Sequence, residues 1–381
     1  MWEKMQTKKL TDICDIKYGY AFDSKCFTEN SMFPSLVRIR DVKRGFSETY
    51  YSGDYPSEYL ISKGDLLIGM DGEFNIARWK SDNALLNQRV CKIIAKHGTD
   101  EEYLRFAMTI ALKEIERKTS FVTVKHLSAK ELNKLYLKIP EFDEQKKISN
   151  ILTKIESIIE VYYKEVVLLN ELIKARFIEL FGDPSTNPYG WVQTTVGDVC
   201  SSIVRGPFGS ALKKDFFVEP SSSTYKVYEQ KHAIQKNATI GNYYITKEKY
   251  MELKRFECFP GDILMSCSGT MGEFYQLPSK CERGIINQAL CKFTLNDKIL
   301  PICFLTYMKE TINNLETKGS GIKNIAAVSY VKEMPINLPP KNIQKQFESF
   351  VKQVDKSKEI IQKKIDIYQE LFNKLMQEYF G

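Results

Sequence analysis

The sequence predicts an α+β fold built from two similar halves, each a mixed head of short strands and helices followed by one long helix. Three observations predict it. The stretch from Asp143 to Gly182 keeps an uninterrupted heptad seam. A second seam of the same kind closes the chain 199 residues later, and the segments preceding the two seams repeat one another at offsets of 197, 200 and 199 residues.

Residues 10 to 140 read as mixed short strands and helices. Leu36 to Ile39 and Asp65 to Gly69 are apolar runs of the kind buried in a sheet, and Glu101 to Arg117 has helical spacing. The run Leu137-Lys138-Ile139-Pro140 ends in a proline, a break before the long helix. In that helix Leu152, Ile159, Val166 and Ile173 fill one heptad column, and Ile148, Ile155, Tyr162 and Leu169 fill the other, with Arg176 next in line. This is the a/d spacing of a helix packed on a helix. No Pro or Gly occurs before Gly182 to interrupt it.

The segment from Asp183 to Trp191 is rich in Pro, Asn and Gly and reads as a surface turn or short linker. The first half then recurs in outline. Lys63-Gly64-Asp65-Leu66-Leu67-Ile68 corresponds to Pro260-Gly261-Asp262-Ile263-Leu264-Met265. Leu86-Asn87-Gln88-Arg89 corresponds to Ile286-Asn287-Gln288-Ala289, and Ile139-Pro140 to Leu338-Pro339. In the closing helix the columns are Val351, Lys358, Ile365 and Phe372, then Phe347, Val354, Ile361, Tyr368 and Leu375, and both helices finish on Phe-Gly. A period this long marks duplicated domains rather than a solenoid.

Each seam suits the other as partner; packing on the helix's own neighbouring domain is the other arrangement open to it. If the halves meet in the same way, a pseudo-twofold axis relates them. The helices then run antiparallel as a coiled coil, and Asp143 to Leu180 forms a spacer of about 57 Å.

Lys and Arg outnumber Asp and Glu by 55 to 48, with little of the excess in the helical stretches. That favours a polyanionic partner without excluding an ordinary basic enzyme. Nine cysteines form no C-x-x-C pair, and His97, His126 and His232 lie far apart, so no metal site is expected. The scattered cysteines, the lack of an apolar core near Met1 and the lack of any membrane-length run lead to the expectation of a cytoplasmic protein.

The strongest local signals are glycine-bearing loops after the Gly-Asp strands, Gly69 to Phe74 in the first half and Ser266 to Phe274 in the second. Such a loop is either a plain turn or a place where backbone and short polar groups meet bases or phosphates. Asn87-Gln88 and Asn287-Gln288 either pair with adenine or hold a strand in place. The candidate contacts in the first head are Arg38, Arg40, Lys43, Arg44, Asp71, Asn75, Arg78, Gln88, Lys125 and His126. Those in the second are Gln230, Lys231, His232, Ser268, Thr270, Asn287, Gln288, Lys318, Lys323 and Asn324. Any one of these side chains is also readable as a solvated surface group. No catalytic residue is assigned. The chain has neither a phosphate-binding G-x-x-x-x-G-K-[ST] loop nor the Asn/Asp-Pro-Pro-aromatic site of an amino-methyltransferase, and its histidines form no triad.

In layout the chain resembles the specificity subunit of a type I restriction-modification enzyme. The resemblance is carried by the two Gly-Asp strands, Ser268 to Gly272, Gly284 to Leu290, the Ile-Pro and Leu-Pro-Pro entries, and the glutamine-led helices at Gln145 and Gln344. It covers essentially the whole chain, through order and duplication rather than one sharp motif.

The resemblance implies a non-catalytic reader of double-stranded DNA. Its target recognition domains would lie at 1–142 and 183–340, with conserved spacer helices at 143–182 and 341–381. It also implies an asymmetric bipartite target. Two modification subunits would use S-adenosylmethionine to methylate adenine at N6, and restriction subunits would consume ATP with Mg. The cofactors would then belong to the partners, with none on this chain. Two rivals remain open at this point: a coiled-coil scaffold whose heads bind proteins, and a self-contained methyltransferase or nuclease.

Overall fold

The computed structural model describes residues 5–118, 126–317 and 327–381. It divides into two compact units, residues 1–164 with 362–381 and residues 165–361. Each long helix therefore contributes its two ends to different units.

The first unit is built on a four-stranded antiparallel sheet in the order Cys14–Tyr18, Val90–Ala95, Leu66–Gly69, Asn75–Arg78. Leu66, Leu67 and Ile68 are all fully buried because both faces of their strand are covered. Leu66 and Ile68 face a core shared with Leu104, Met108 and Leu112 of the helix Glu101–Lys118. Leu67 faces a second core with Val37, Trp79 and Leu86. A strand covered on both faces has to be a continuous apolar run rather than an alternating one. A second sheet takes the order Phe27–Thr28, Tyr50–Tyr51, Ser35–Val37, Ala84–Leu86, Leu60–Ile61, in which Ser35–Val37 and Ala84–Leu86 run parallel. Gln6–Lys9 pairs with Tyr136–Ile139 just before the first long helix.

The second unit repeats this plan. Its four-stranded sheet runs Cys200–Arg205, Leu290–Leu295, Ile263–Ser266, Phe274–Gln276, the same order as in the first. Ile263 and Met265 face the core under the helix Pro301–Thr317, and Leu264 faces the opposite one. Tyr225–Tyr228 pairs in parallel with Gly284–Ile286, as its counterpart does in the first unit. Val192–Thr195 pairs with Pro335–Leu338 before the second long helix.

One sequence-derived element is shorter than expected. The strand expected over Leu36 to Ile39 stops at Val37, and Ile39 opens the short helix Ile39–Arg44. Asp41 draws the chain into that turn, because its buried carboxylate accepts the Arg38 backbone N–H at 3.0 Å. Capping an orphan donor this way favours helix over strand.

The two long helices are Phe142–Phe181 and Lys341–Phe380, 40 residues each. Gly182, at φ +78°, closes the first by donating to Ile178 O at 2.8 Å, a left-handed stop that a side chain resists. Within each unit the beginning of one helix lies beside the end of the other, so they run antiparallel. Ile148 and Leu152 share the first unit's core with Phe372, Leu375 and Met376, while Phe177 and Phe181 share the second unit's core with Phe347 and Val351.

Of the seam positions, Ile148, Leu152, Ile155, Ile159, Phe347, Val351, Val354, Ile361 and Ile365 are buried. Tyr162, Val166, Leu169, Ile173, Tyr368, Phe372 and Leu375 are half-buried, with the Tyr162 and Tyr368 rings 6.0 Å apart. The heptad register fails towards the end of the first helix. There Phe177 is buried instead of Arg176, which pairs with Glu179 at 2.7 Å and lies over the Phe350 ring. A helix of 3.6 residues per turn drifts about 20° per heptad against a 3.5 repeat, and the drift brings Phe177 and Met376 inward.

Candidate nucleic-acid interface

The pairing register sets which loops meet. Tyr18 lies opposite Cys91, Gly69 opposite Val90, and Val37 opposite Leu86. The chain after Tyr18, the glycine loop after Gly69, the start of the helix after Val37 and the Asn87-Gln88 turn are therefore brought to one end of the first unit's sheets. In the second unit Arg205 lies opposite Cys291, Ser266 opposite Leu290, and Tyr228 opposite Ile286, which gathers the corresponding loops.

The two asparagine turns are held by the same device. A Cβ on Gly19 would come within 2.0 Å of Asn87 O, and one on Gly206 within 1.9 Å of Asn287 O, so only glycine lets the chain pass. The Asn87 side-chain oxygen accepts from Gln88 N at 2.9 Å, and that of Asn287 from Ala289 N at 3.1 Å. The asparagines thus shape their turns, while Gln88 and Gln288 project from them and are exposed.

In the first unit a depression of about 440 Å³ brings together Arg38, Arg40, Gln88 and Arg89 over Phe22 and Ser24. Beside it, Asp71 receives His126 Nδ1 on one carboxylate oxygen and lies 3.4 Å from Arg89 Nε through the other. Lys43 pairs with Glu73 at 2.8 Å and holds its carboxyl below the ordinary value. Arg44 reaches Glu48 at 3.3 Å and covers the Phe46 ring. Asn75 donates to Glu73 O at 2.9 Å and so braces the glycine loop from inside.

Arg78 does not join this edge. It is fixed against Glu101 and Glu102 at the start of the helix Glu101–Lys118 and donates to Gly64 O at 2.6 Å. Burial works to raise the Glu102 carboxyl, yet Arg105 and Arg78 outweigh it and leave it below the ordinary value.

In the second unit Gln230 donates its amide to Ser268 O and clamps the glycine loop, with Ser268 and Thr270 exposed at the tip. Lys231 pairs with Glu229 at 2.6 Å over the Tyr243 ring. His232 is corrected from surface contact to core. It is fully buried, its Nδ1 accepts the Glu229 N–H at 2.8 Å, and its Nε2 lies 2.7 Å from Ile240 O. It caps its helix as Asp41 does in the first unit, and burial lowers its pKa. Lys125, Lys318, Lys323 and Asn324 lie outside the described residues.

Sequence reasoning passed over Arg89, Phe22, Arg205 and the exposed Phe208, whose ring lies 5.4 Å from the Arg205 guanidinium. Their signal was position beside a turn or glycine already singled out, as in Gln88-Arg89 and Arg205-Gly206-Pro207-Phe208. Among the described residues no group of three His, Cys, Asp or Glu side chains is placed to hold a metal, and no helix is long and apolar enough to cross a membrane.

A family profile described as the type I restriction modification DNA specificity domain matches residues 2–167 and again 188–368, nearly the whole chain. The chain belongs to this family. The EcoBI specificity subunit of a type I restriction enzyme from Escherichia coli is 40% identical over 153 residues, 39% of this chain and 32% of that protein. The chain thus matches about a third of that relative's length.

Two solved structures share the fold. The S subunit of a type I restriction-modification system from M. genitalium aligns over 99% of this chain and 96% of its own, at 15% identity and a TM-score of 0.53. A chain from a structure titled for complex assembly and conformational transition of the type I R-M system aligns over 99% and 98%, at 17% identity and 0.54. The double match of the specificity profile falls on the two repeated heads, each with the first part of the long helix that follows it.

Proposed function

We propose that this chain is the non-catalytic, sequence-reading subunit of a type I restriction-modification system. Each head reads one half of an asymmetric bipartite site in double-stranded DNA. Two modification subunits carrying S-adenosylmethionine methylate adenine at N6 where the chain directs them, and restriction subunits using ATP and Mg cleave. The observation that carries this reading is a scaffold repeated in strand order and helix entry with different loops at the same edge. Such a molecule offers two dissimilar reading surfaces in two equivalent frames, as a split and asymmetric target requires. The base-reading candidates are Arg38, Arg40 and Gln88 in the first head and Gln230, Ser268, Thr270 and Gln288 in the second. Arg78 and His232 serve the scaffold.

Two copies of the modification subunit fit a second repetition. The long helices carry exposed apolar residues at matching positions: Val161, Leu168 and Leu172 on one, Ile360, Ile367 and Leu371 on the other. Equivalent stripes on one chain suit two copies of one partner. The test is methyl transfer to duplex DNA with purified components. The chain alone should transfer nothing, the modification subunits alone should act without the bipartite preference, and together they should methylate one split site with affinity that falls steeply with salt. Methyl transfer by the chain alone would refute the reading.

A further inference from the structure

Two heads that read different half-sites on one scaffold should agree where residues hold the fold and differ where residues read. The scaffold pairs do agree. Lys92 pairs with Asp65 at 2.7 Å and Lys292 with Asp262 at 3.2 Å, and Lys43 pairs with Glu73 as Lys236 does with Glu273 at 2.6 Å. The backbone agrees beside the glycine loops too, where Met70 N donates to Arg89 O at 3.0 Å and Cys267 N to Ala289 O at 2.8 Å. These bonds equate Arg89 with Ala289 and place Asp71 at the position of Ser268. At that point the heads part: the first has an ion-paired arginine where the second has an alanine and a hydroxyl.

The Arg89 guanidinium is held by two neighbouring side chains. Asp71 takes its Nε side at 3.4 Å, and the His126 ring lies 3.1 Å from Nη1, while Asp71 also receives His126. The side chain nevertheless remains 49% exposed, at the rim of the depression that holds Gln88, Arg38 and Arg40. An arginine steered by a carboxylate loses less freedom on binding, and its planar fork matches the O6 and N7 acceptors of guanine.

We propose that Arg89 reads a guanine in the half-site of the first head, with Asp71 and His126 as its positioning residues. The inference rests on the proposed function above. The experiment assembles wild-type, Arg89→Ala, Arg89→Lys and Asp71→Asn chains with the modification subunits and measures methylation across duplexes varied at every base of the bipartite site. Wild type should require guanine at one position of one half-site. Arg89→Ala should lose that preference by roughly 5- to 150-fold, and Arg89→Lys should lose less of it, because an ammonium also reaches O6 and N7 without the planar fork. Asp71→Asn should relax the same position in part. All variants should keep the other half-site's preference, which also reports that the chain is folded. An Arg89→Ala chain that still demands guanine there would overturn the proposal. So would an Arg89→Ala chain that weakens all sequences alike and flattens the salt slope, the mark of a phosphate contact. A wild-type complex with no bipartite preference would instead remove the reading on which the inference stands, and the inference with it.

Discussion

Gln145 and Gln344 are each 1% exposed, and each divides its amide between the loop before its head's helix and the proline segment at the start of its own long helix. Gln145 accepts from Asp100 N at 2.8 Å and donates to Gly98 O at 3.2 Å and Pro140 O at 2.9 Å. Gln344 makes the matching bonds to Leu300 N, Lys298 O and Pro339 O. Replacing Gln145 with Leu leaves the buried Pro140 O and the part-buried Asp100 N and Gly98 O without this partner and should cost about 1–3 kcal/mol in chemical denaturation. His232 makes a pH prediction. Burial sets its folded pKa below the ordinary 6.5, so its contribution is complete above pH 6.5 and is lost as pH falls through the folded value. Wild-type stability should therefore drop more steeply with acid than that of a His232→Gln chain, as followed by thermal unfolding from pH 7 to 5. At this scale the sequence was half legible. It marked Gln145 and Gln344 by order alone and presented His232 as a surface group, because capping depends on a partner three residues back that any polar side chain could supply.

The elements were the most legible part. Leu66 to Ile68 and Ile263 to Met265 stand out because strands buried on both faces have no room for polar residues. The helix starts followed from their prolines. What the heptads hid was drift: a strict seven-residue count places Arg176 in the seam, where the structure puts Phe177. They also said nothing of the faces turned outward. Leu168→Glu and Leu172→Glu together should leave the chain folded, since both residues are exposed, yet cost the assembly one of the two modification subunits proposed for it. The matching pair Ile367→Glu and Leu371→Glu should remove the other. Native mass spectrometry of the complexes reads the stoichiometry directly, and an unchanged complex in both cases would place the partner elsewhere.

For the molecule as a whole, duplication was legible from the sequence because the same strand order, turn glycine and helix entry recur about 200 residues apart. The proposed reading edge was less so, since it is assembled from loops distant in the chain: Phe22, Arg38, Asp71, Arg89 and His126 meet only through the register of two sheets. On the proposed function, this chain alone decides where adenine is methylated. The most direct measurement is an adenine-methylation map of cells with the gene intact, deleted, and restored with the Arg89→Ala variant. The expected result is one split, asymmetric motif that vanishes on deletion and returns with its first half relaxed and its second half intact in the variant. A map that does not change when the gene is deleted would contradict the account.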